Sequence, residues 1–493
     1  MVFRKDSISL QSGRLLQVVI IIFLFAFFMI FAGGGLWAEF TGDDLMNLHR
    51  YMEQGFAGVV QSILFFWSTA FRPLGGLFYL TIYNIFGFDP LPFRFVCFVF
   101  LIVNQYLAYR FIVTLSRSRA TGVLAALLFC YHAWFVDLYY SSGTVYDLLC
   151  FFFYFSAFIY YLRFRETGRS TFKNWAIFVA LYICALDSKE MAVTLPLFIA
   201  VYEAIFHTPR CSLAGLRRWI VDNGAGFLTS GLVTIPYVLG KLLLKGSLVE
   251  NPAFALNISP TVFLDRFHLY LNPLFYQDHV FRDPNTIQLL LIMLIFALWR
   301  RNRHLLFAWF YILLSGLPVF FMAHCAAFFM YIPSVGWALY IAGAIMELGR
   351  ILEWFLLKVF GGKMSGKNIM NFWQVSAFLV ISVFLMTVHP AESRKTFNQF
   401  RSIQQPVGKV MDDLDRLQLN LPRGSRIYFA NDPFPASNGN LLFLVRLYYH
   451  DMTLEIGRGK PGAVMPAKRI RYQAALDYRN GHLVEIPLPP EGN

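Results

Sequence analysis

The sequence predicts an all-α polytopic membrane protein with a small α/β domain at its C-terminal end. Composition is the first reason: of 493 residues, 57% are hydrophobic, 18% aromatic and only 14% charged, far from the balance of a soluble domain. The second is the recurrence of apolar runs close to the roughly 20 residues that a membrane-crossing helix needs. Third, the basic residues fall in short clusters between those runs. The formal charge of +13 therefore reads as loops retained in the cytoplasm, and nucleic acid is excluded as the partner that the charge serves.

Taken in order, the apolar segments are 15–37, 92–114, 121–138, 143–162, 172–188, 191–206, 219–243, 284–299, 303–321, 327–347 and 371–388, eleven spans in all. The first is too long, and too poorly followed by a cleavage site, to be a cleaved signal peptide; it reads as a retained signal-anchor helix. Residues 56–88 are apolar too, but Arg72-Pro73 splits them. Loop charge decides their place. With 56–88 outside, the clusters Arg117/Arg119, Arg163/Arg165/Arg169/Lys173, Arg210/Arg217/Arg218, Arg300/Arg301/Arg303 and Arg350/Lys358/Lys363/Lys367 all fall on the side of Arg4, Lys5 and Arg14.

The N-terminus is then cytoplasmic. A first outside loop covers 38–91, a second large one 244–283, and the C-terminal tail lies outside, so the chain divides into a transmembrane domain, 1–388, and a small extracytoplasmic α/β domain, 389–493. In the first loop Thr41 or Asp43 caps a short helix through Gln54, and Phe56–Ala70 and Pro73–Phe86 lie along the membrane surface as juxtamembrane helices; Pro260–Leu271 reads in the same way. In the tail, strands are expected at 426–430 and 452–456, a helix at 441–449, and a hairpin turning at Asn480-Gly481. The six cysteines lie in or beside apolar segments without metal-ligand spacing and read as packing residues.

Chemistry is first suggested by Asp43-Asp44, two adjacent carboxylates just outside the first span, where ionisable groups are costly unless they face water, protein or ligand. A helix cap accounts for such a pair equally well. The pair opens an ordered series: Phe71-Arg72-Pro73-Leu74, Ile85-Phe86-Gly87-Phe88-Asp89-Pro90, Ser188-Lys189-Glu190 followed by Pro196, and Tyr331-Ile332-Pro333-Ser334-Val335-Gly336. This series, spread over most of residues 10–345, resembles the GT-C membrane glycosyltransferases, specifically the branch of protein O-mannosyltransferases and tetratricopeptide-linked mannosyltransferases with their bacterial relatives.

The resemblance implies a GT-C-like fold and transfer of a sugar from a polyprenyl-phosphate donor to a lipid, glycan or protein acceptor at the outer face of a membrane, here a bacterial inner membrane. It implies Asp43 or Asp44 as the catalytic base, with Asp43 favoured by its position in the motif. Arg72, Lys189, Arg266 and Arg282 are the candidate cations for the donor phosphate, and Glu190 and Tyr331 join the site through their motifs. Where relatives carry a His-Pro-x-His-x-Glu element, this chain reads Tyr131-His132-Ala133-Trp134-Phe135-Val136-Asp137, so His132 and Asp137 stand in its place. Relatives also carry an arginine before the Tyr-x-Pro-Ser element, where this chain has Phe328-Phe329-Met330.

No cofactor is expected, and a metal-independent reaction is favoured, because no Asp/Glu/His cluster demands a metal. Plain structural readings stand beside these: Lys189-Glu190 as a mutually satisfied pair in a turn, Asp137 as an ordinary interfacial carboxylate, His132 as a satisfied polar residue at a span end. The competing function is a lipid or glycan transporter or flippase, which calls for internal repeats and broken helices with mid-span polar residues.

Overall fold

Each of the eleven apolar segments contributes helix in the computed structural model, which describes residues 10–68, 71–208, 212–244, 257–322, 326–360, 365–459 and 472–488. Among the described residues seven helices are long and apolar enough to cross a membrane: Gln17–Trp37, Pro90–Ser116, Ser142–Glu166, Ala225–Leu243, Arg303–Phe320, Ala327–Val359 and Gly366–Asn398. The chain is a helical, multi-pass membrane protein.

An eighth span exists if Arg119–Cys130 and Ala133–Tyr140, which meet at 53°, count as one. The break has a local cause. Tyr131 and His132 are extended, and the His132 ring caps the next turn by accepting from the Trp134 amide, so the helical hydrogen-bond ladder stops there. The other three segments form the shorter helices Phe172–Ser188, Leu195–Phe206 and Asp283–Trp299. Length and composition thus give seven or eight crossings where the sequence suggests eleven.

The first loop folds as two helices, Gly42–Leu64 and Pro73–Phe86, and neither is among those long and apolar enough to span. Of the two expected caps, Thr41 is the one used. Its hydroxyl accepts from the Asp44 amide while the Asp44 carboxylate accepts from the Thr41 amide, a reciprocal box. The helix breaks at Gly55, whose φ of 72° suits glycine, directly after the expected end at Gln54. The second piece stops at Leu64, short of the expected Ala70. Pro73 then opens Pro73–Phe86 at its first turn, and Gly75 brings this helix against Tyr146, where an added Cβ would lie only 2.1 Å from a ring carbon.

The expected outer helix at 260–271 is present as Pro260–Leu274, and residues 245–256 of the second loop lie outside the described residues. Of the cysteines, Cys97, Cys130 and Cys150 are buried, Cys184 is partly so, and all four are free; Cys211 and Cys325 lie outside the described residues.

The helix that holds the last candidate span runs on beyond Asn398. Gly366–Leu417 is one helix of 52 residues, so the boundary expected at 388/389 falls inside it. Beyond it come β1 (Arg426–Asn431), the helix Asn440–Tyr448, β2 (Glu455–Arg458), β3 (Ala474–Arg479) and β4 (His482–Glu485). The sheet order is β2-β1-β3-β4, with β1 parallel to both neighbours. The β3–β4 hairpin turns at Asn480-Gly481, both at positive φ, as a tight two-residue turn requires. β2 starts later than the expected 452 because Asp451 folds the preceding residues into a turn, accepting from the Thr453 amide and hydroxyl and the Gly424 amide.

This α/β unit is seated on the first loop. Asn440–Tyr448 packs along Gly42–Leu64, the Tyr83 hydroxyl donates to the Leu447 carbonyl at 2.6 Å, and Arg446 lies 3.3 Å from the His49 ring and 3.8 Å from Glu53.

Candidate active site

The two carboxylates of the first loop sit on the first turn of one helix and have separate surroundings. Asp44 is buried. Its Oδ2 accepts from the Thr41 amide (2.7 Å), the Thr41 hydroxyl (2.9 Å) and Arg94 Nη2 (3.3 Å), and its Oδ1 from the Ser142 (2.8 Å) and Ser141 (3.3 Å) hydroxyls. Five donors fill the acceptor capacity of a carboxylate, so Asp44 is the wrong member of the pair to take a proton from a substrate. It ties the first loop to the Ser141–Thr144 turn and neutralises Arg94, a guanidinium only 1% exposed that also donates to the Ala38 and Glu39 carbonyls.

Asp43 is exposed. Its Cβ lies 3.1 Å from where a Cβ on Gly143 would be, so the missing side chain at 143 allows the two loops to meet. Asp137, partly buried, is near enough to both Asp43 and Asp147 for their charges to interact. The first loop and the bent segment therefore bring one acidic group each within electrostatic reach of the other.

From Asp147 a row of alternating charge runs inward. The Lys189 ammonium lies 2.6 Å from both Asp147 oxygens and faces the Phe328 and Phe329 rings at 4.6 and 4.3 Å. The expected Lys189–Glu190 pair is replaced by two crossed pairs, because adjacent residues leaving a helix end point apart. Glu190 instead takes Arg72, through Nη2 at 2.8 Å and Nε at 3.2 Å, with the guanidinium flanked by Phe71 and Tyr146. Arg72 holds a left-handed backbone, φ 40°, which costs a non-glycine residue about 1–2 kcal/mol and directs its side chain inward from the helix start. Lys241 is close enough to Glu190 and Asp187 to extend the row.

Burial alone would raise the Glu190 carboxyl, but the Arg72 charge and its hydrogen bonds outweigh this and hold it down at about 2, against an ordinary 4.5. Between those values the unfolded chain binds the proton and the folded chain does not, so stability rises with pH across the window. The contribution of this group is complete above about 4.5 and lost as pH falls through about 2. In acid titrations of the purified protein, Glu190→Gln is expected to flatten the stability curve over that range; an unchanged slope would mean that Arg72 does not hold the carboxylate.

The other expected site residues differ in where they lie. His132 stacks on Tyr276 at 4.5 Å, its Nε2 lies 3.0 Å from the Leu274 carbonyl and its Nδ1 accepts from Trp134; Nε2 ties the second loop to the bend, and Nδ1 shapes the bend itself. Tyr331 is buried between Phe129 and Phe151, near enough to Asp147 for their charges to interact. Arg282 is exposed at the start of Asp283–Trp299, and Arg266 lines a shallow depression with Val262, Asp265 and Leu269, which shares no residue with the charge row.

Sequence reasoning passed over Asp147 and Arg94, the partners that define the environments of Lys189 and Asp44. Their signal was present, since an ionised residue inside an apolar run calls for a partner, but the partners are 42 and 50 residues away. Among the described residues no group of three or more His, Cys, Asp or Glu side chains is arranged to hold a metal ion. No protein-family model matches this sequence, and no curated protein matches it.

Proposed function

We propose that this protein is a glycosyltransferase that moves a sugar from a polyprenyl-phosphate donor to an acceptor hydroxyl at the outer membrane face. The observation that carries the reading is the placement of the exposed Asp43 beside Asp137, at the end of a row through Asp147 and Lys189 to Glu190 and Arg72. Asp43 takes the proton as the acceptor oxygen attacks the anomeric carbon. The bond from that carbon to the phosphate oxygen breaks, and its electron pair leaves on the phosphate.

Arg72 is the cation assigned to that phosphate. It holds Glu190 through Nε and Nη2, which leaves Nη1 of the planar fork for a charge-assisted bond to a phosphate oxygen. Lys189, only 2% exposed, acts in this scheme by fixing Asp147. Cations in place of a metal suit a monophosphate donor. The reading includes the eleven-span topology, with the shorter helices as crossings and the first loop wholly outside; reporter fusions should then find a site after Phe88 outside and one after Arg119 in the cytoplasm.

The test is turnover in reconstituted vesicles loaded with a polyprenyl-phosphate sugar. Release of free polyprenyl phosphate, coupled to a glycosylated product, is the expected result. Movement of the intact sugar-lipid between leaflets without release would replace this function by that of a flippase.

A further inference from the structure

We infer that Gln404 is a positioning residue of the site: one buried amide, supplied by the long helix Gly366–Leu417, clamps together the two segments that carry Asp43 and Asp137. Its Nε2 donates to the Glu39 carbonyl at 2.7 Å and to the Tyr140 carbonyl at 2.8 Å. Glu39 lies four residues before Asp43, and Tyr140 three residues after Asp137. Both amide hydrogens are thus spent on backbone belonging to two different loops.

The same helix face makes the rest of the contact. The Tyr140 ring packs on Phe397 at 5.0 Å and on Phe400 at 6.2 Å, and Gly408, one turn beyond Gln404, admits the Glu39 side chain so closely that a Cβ there would lie 2.8 Å from Glu39 Cγ. Residues 397, 400, 404 and 408 follow the helical repeat. The Glu39 end is stiffened further by Arg94, which donates to the same carbonyl at 2.6 Å. The distance between the two acidic groups is therefore set by a residue of the C-terminal region that need not touch donor or acceptor.

This inference rests on the proposed transferase reading, and its test has a separate structural arm. Hydrogen exchange on the full-length protein reads the clamp directly: Gln404→Leu should speed amide exchange at 39–44 and 139–144 and leave β1–β4 unchanged. In single-turnover transfer the same variant should lose about 10- to 100-fold in rate, the scale expected when reacting groups are misplaced by about 1 Å, with donor KM nearly constant.

Gln404→Glu is close in shape and cannot donate while ionised; as its carboxyl protonates at lower pH, one O–H replaces one of the two lost donors, so its rate relative to the parent at the same pH should recover in part, unlike that of Gln404→Leu. It also serves if the leucine variant fails to fold. Unchanged exchange in both loops overturns the clamp whatever the protein's activity. Faster exchange with parental turnover in both variants overturns the positioning role, and a parent protein without any sugar transfer overturns the transferase reading while the exchange arm still judges the clamp.

Discussion

Asp43→Asn is expected to reduce single-turnover sugar transfer by about 10² to 10⁴, the range for loss of a general base, with donor binding largely kept. Asparagine preserves size and most hydrogen bonding but cannot accept the acceptor's proton. Asp44→Asn should behave differently. Its carboxylate is saturated by Thr41, Ser141, Ser142 and Arg94, so the change, which leaves buried Arg94 without its counter-charge, should appear as a loss of roughly 3–5 kcal/mol of stability and as a turnover loss smaller than that of Asp43→Asn. Measuring rate and melting temperature on both purified variants separates the roles. If Asp43→Asn stays within a few-fold of the parent rate, the exposed carboxylate is only a helix-start charge and the mechanism fails.

Lys189→Ala should act first on folding. It leaves Asp147 buried without its cation, and breaking a buried pair from one side costs about 3–5 kcal/mol. Replacing both partners by apolar residues, Lys189→Met with Asp147→Leu, removes the stranded charge and should return most of that stability. Donor use should not return with it, because the row between Asp137 and Arg72 is then interrupted. A double variant with parental donor kinetics would make the Lys189–Asp147 pair purely architectural. Thermal melts in detergent beside donor titrations report both quantities on the same samples.

What was legible in the chain was mainly local. Thr41 as a cap, proline at 73 and Asn480-Gly481 each act on their own backbone, and the elements that they start or turn lie where the sequence places them. The membrane class was legible from composition for the same reason, since it is a property of segments taken singly. The site was less so. Which carboxylate of Asp43-Asp44 is saturated depends on Ser141 and Ser142 in a distant turn, and which partner Lys189 chooses depends on how two helices meet. His132 and Tyr331 stand out by motif position alone, and their packing against Tyr276 and against Phe129 and Phe151 follows from tertiary contacts that no local pattern encodes.

The docking of the C-terminal unit on the first loop also bears on how the protein is made. The Glu39 carbonyl waits for Gln404, Tyr83 for Leu447 and His49 for Arg446, across 365, 364 and 397 residues of chain. At the usual pace of synthesis that interval is roughly 20–70 s. Through it, the helices Gly42–Leu64 and Pro73–Phe86 have left the ribosome and lack the surface that covers them. A chain ending at residue 398 would carry every candidate span found among the described residues and still lack Gln404 and the unit that covers those two helices. Docking of the C-terminal unit is then a late step of biogenesis, and a protease with access to the first loop during synthesis should cut it readily in nascent chains and poorly in finished ones.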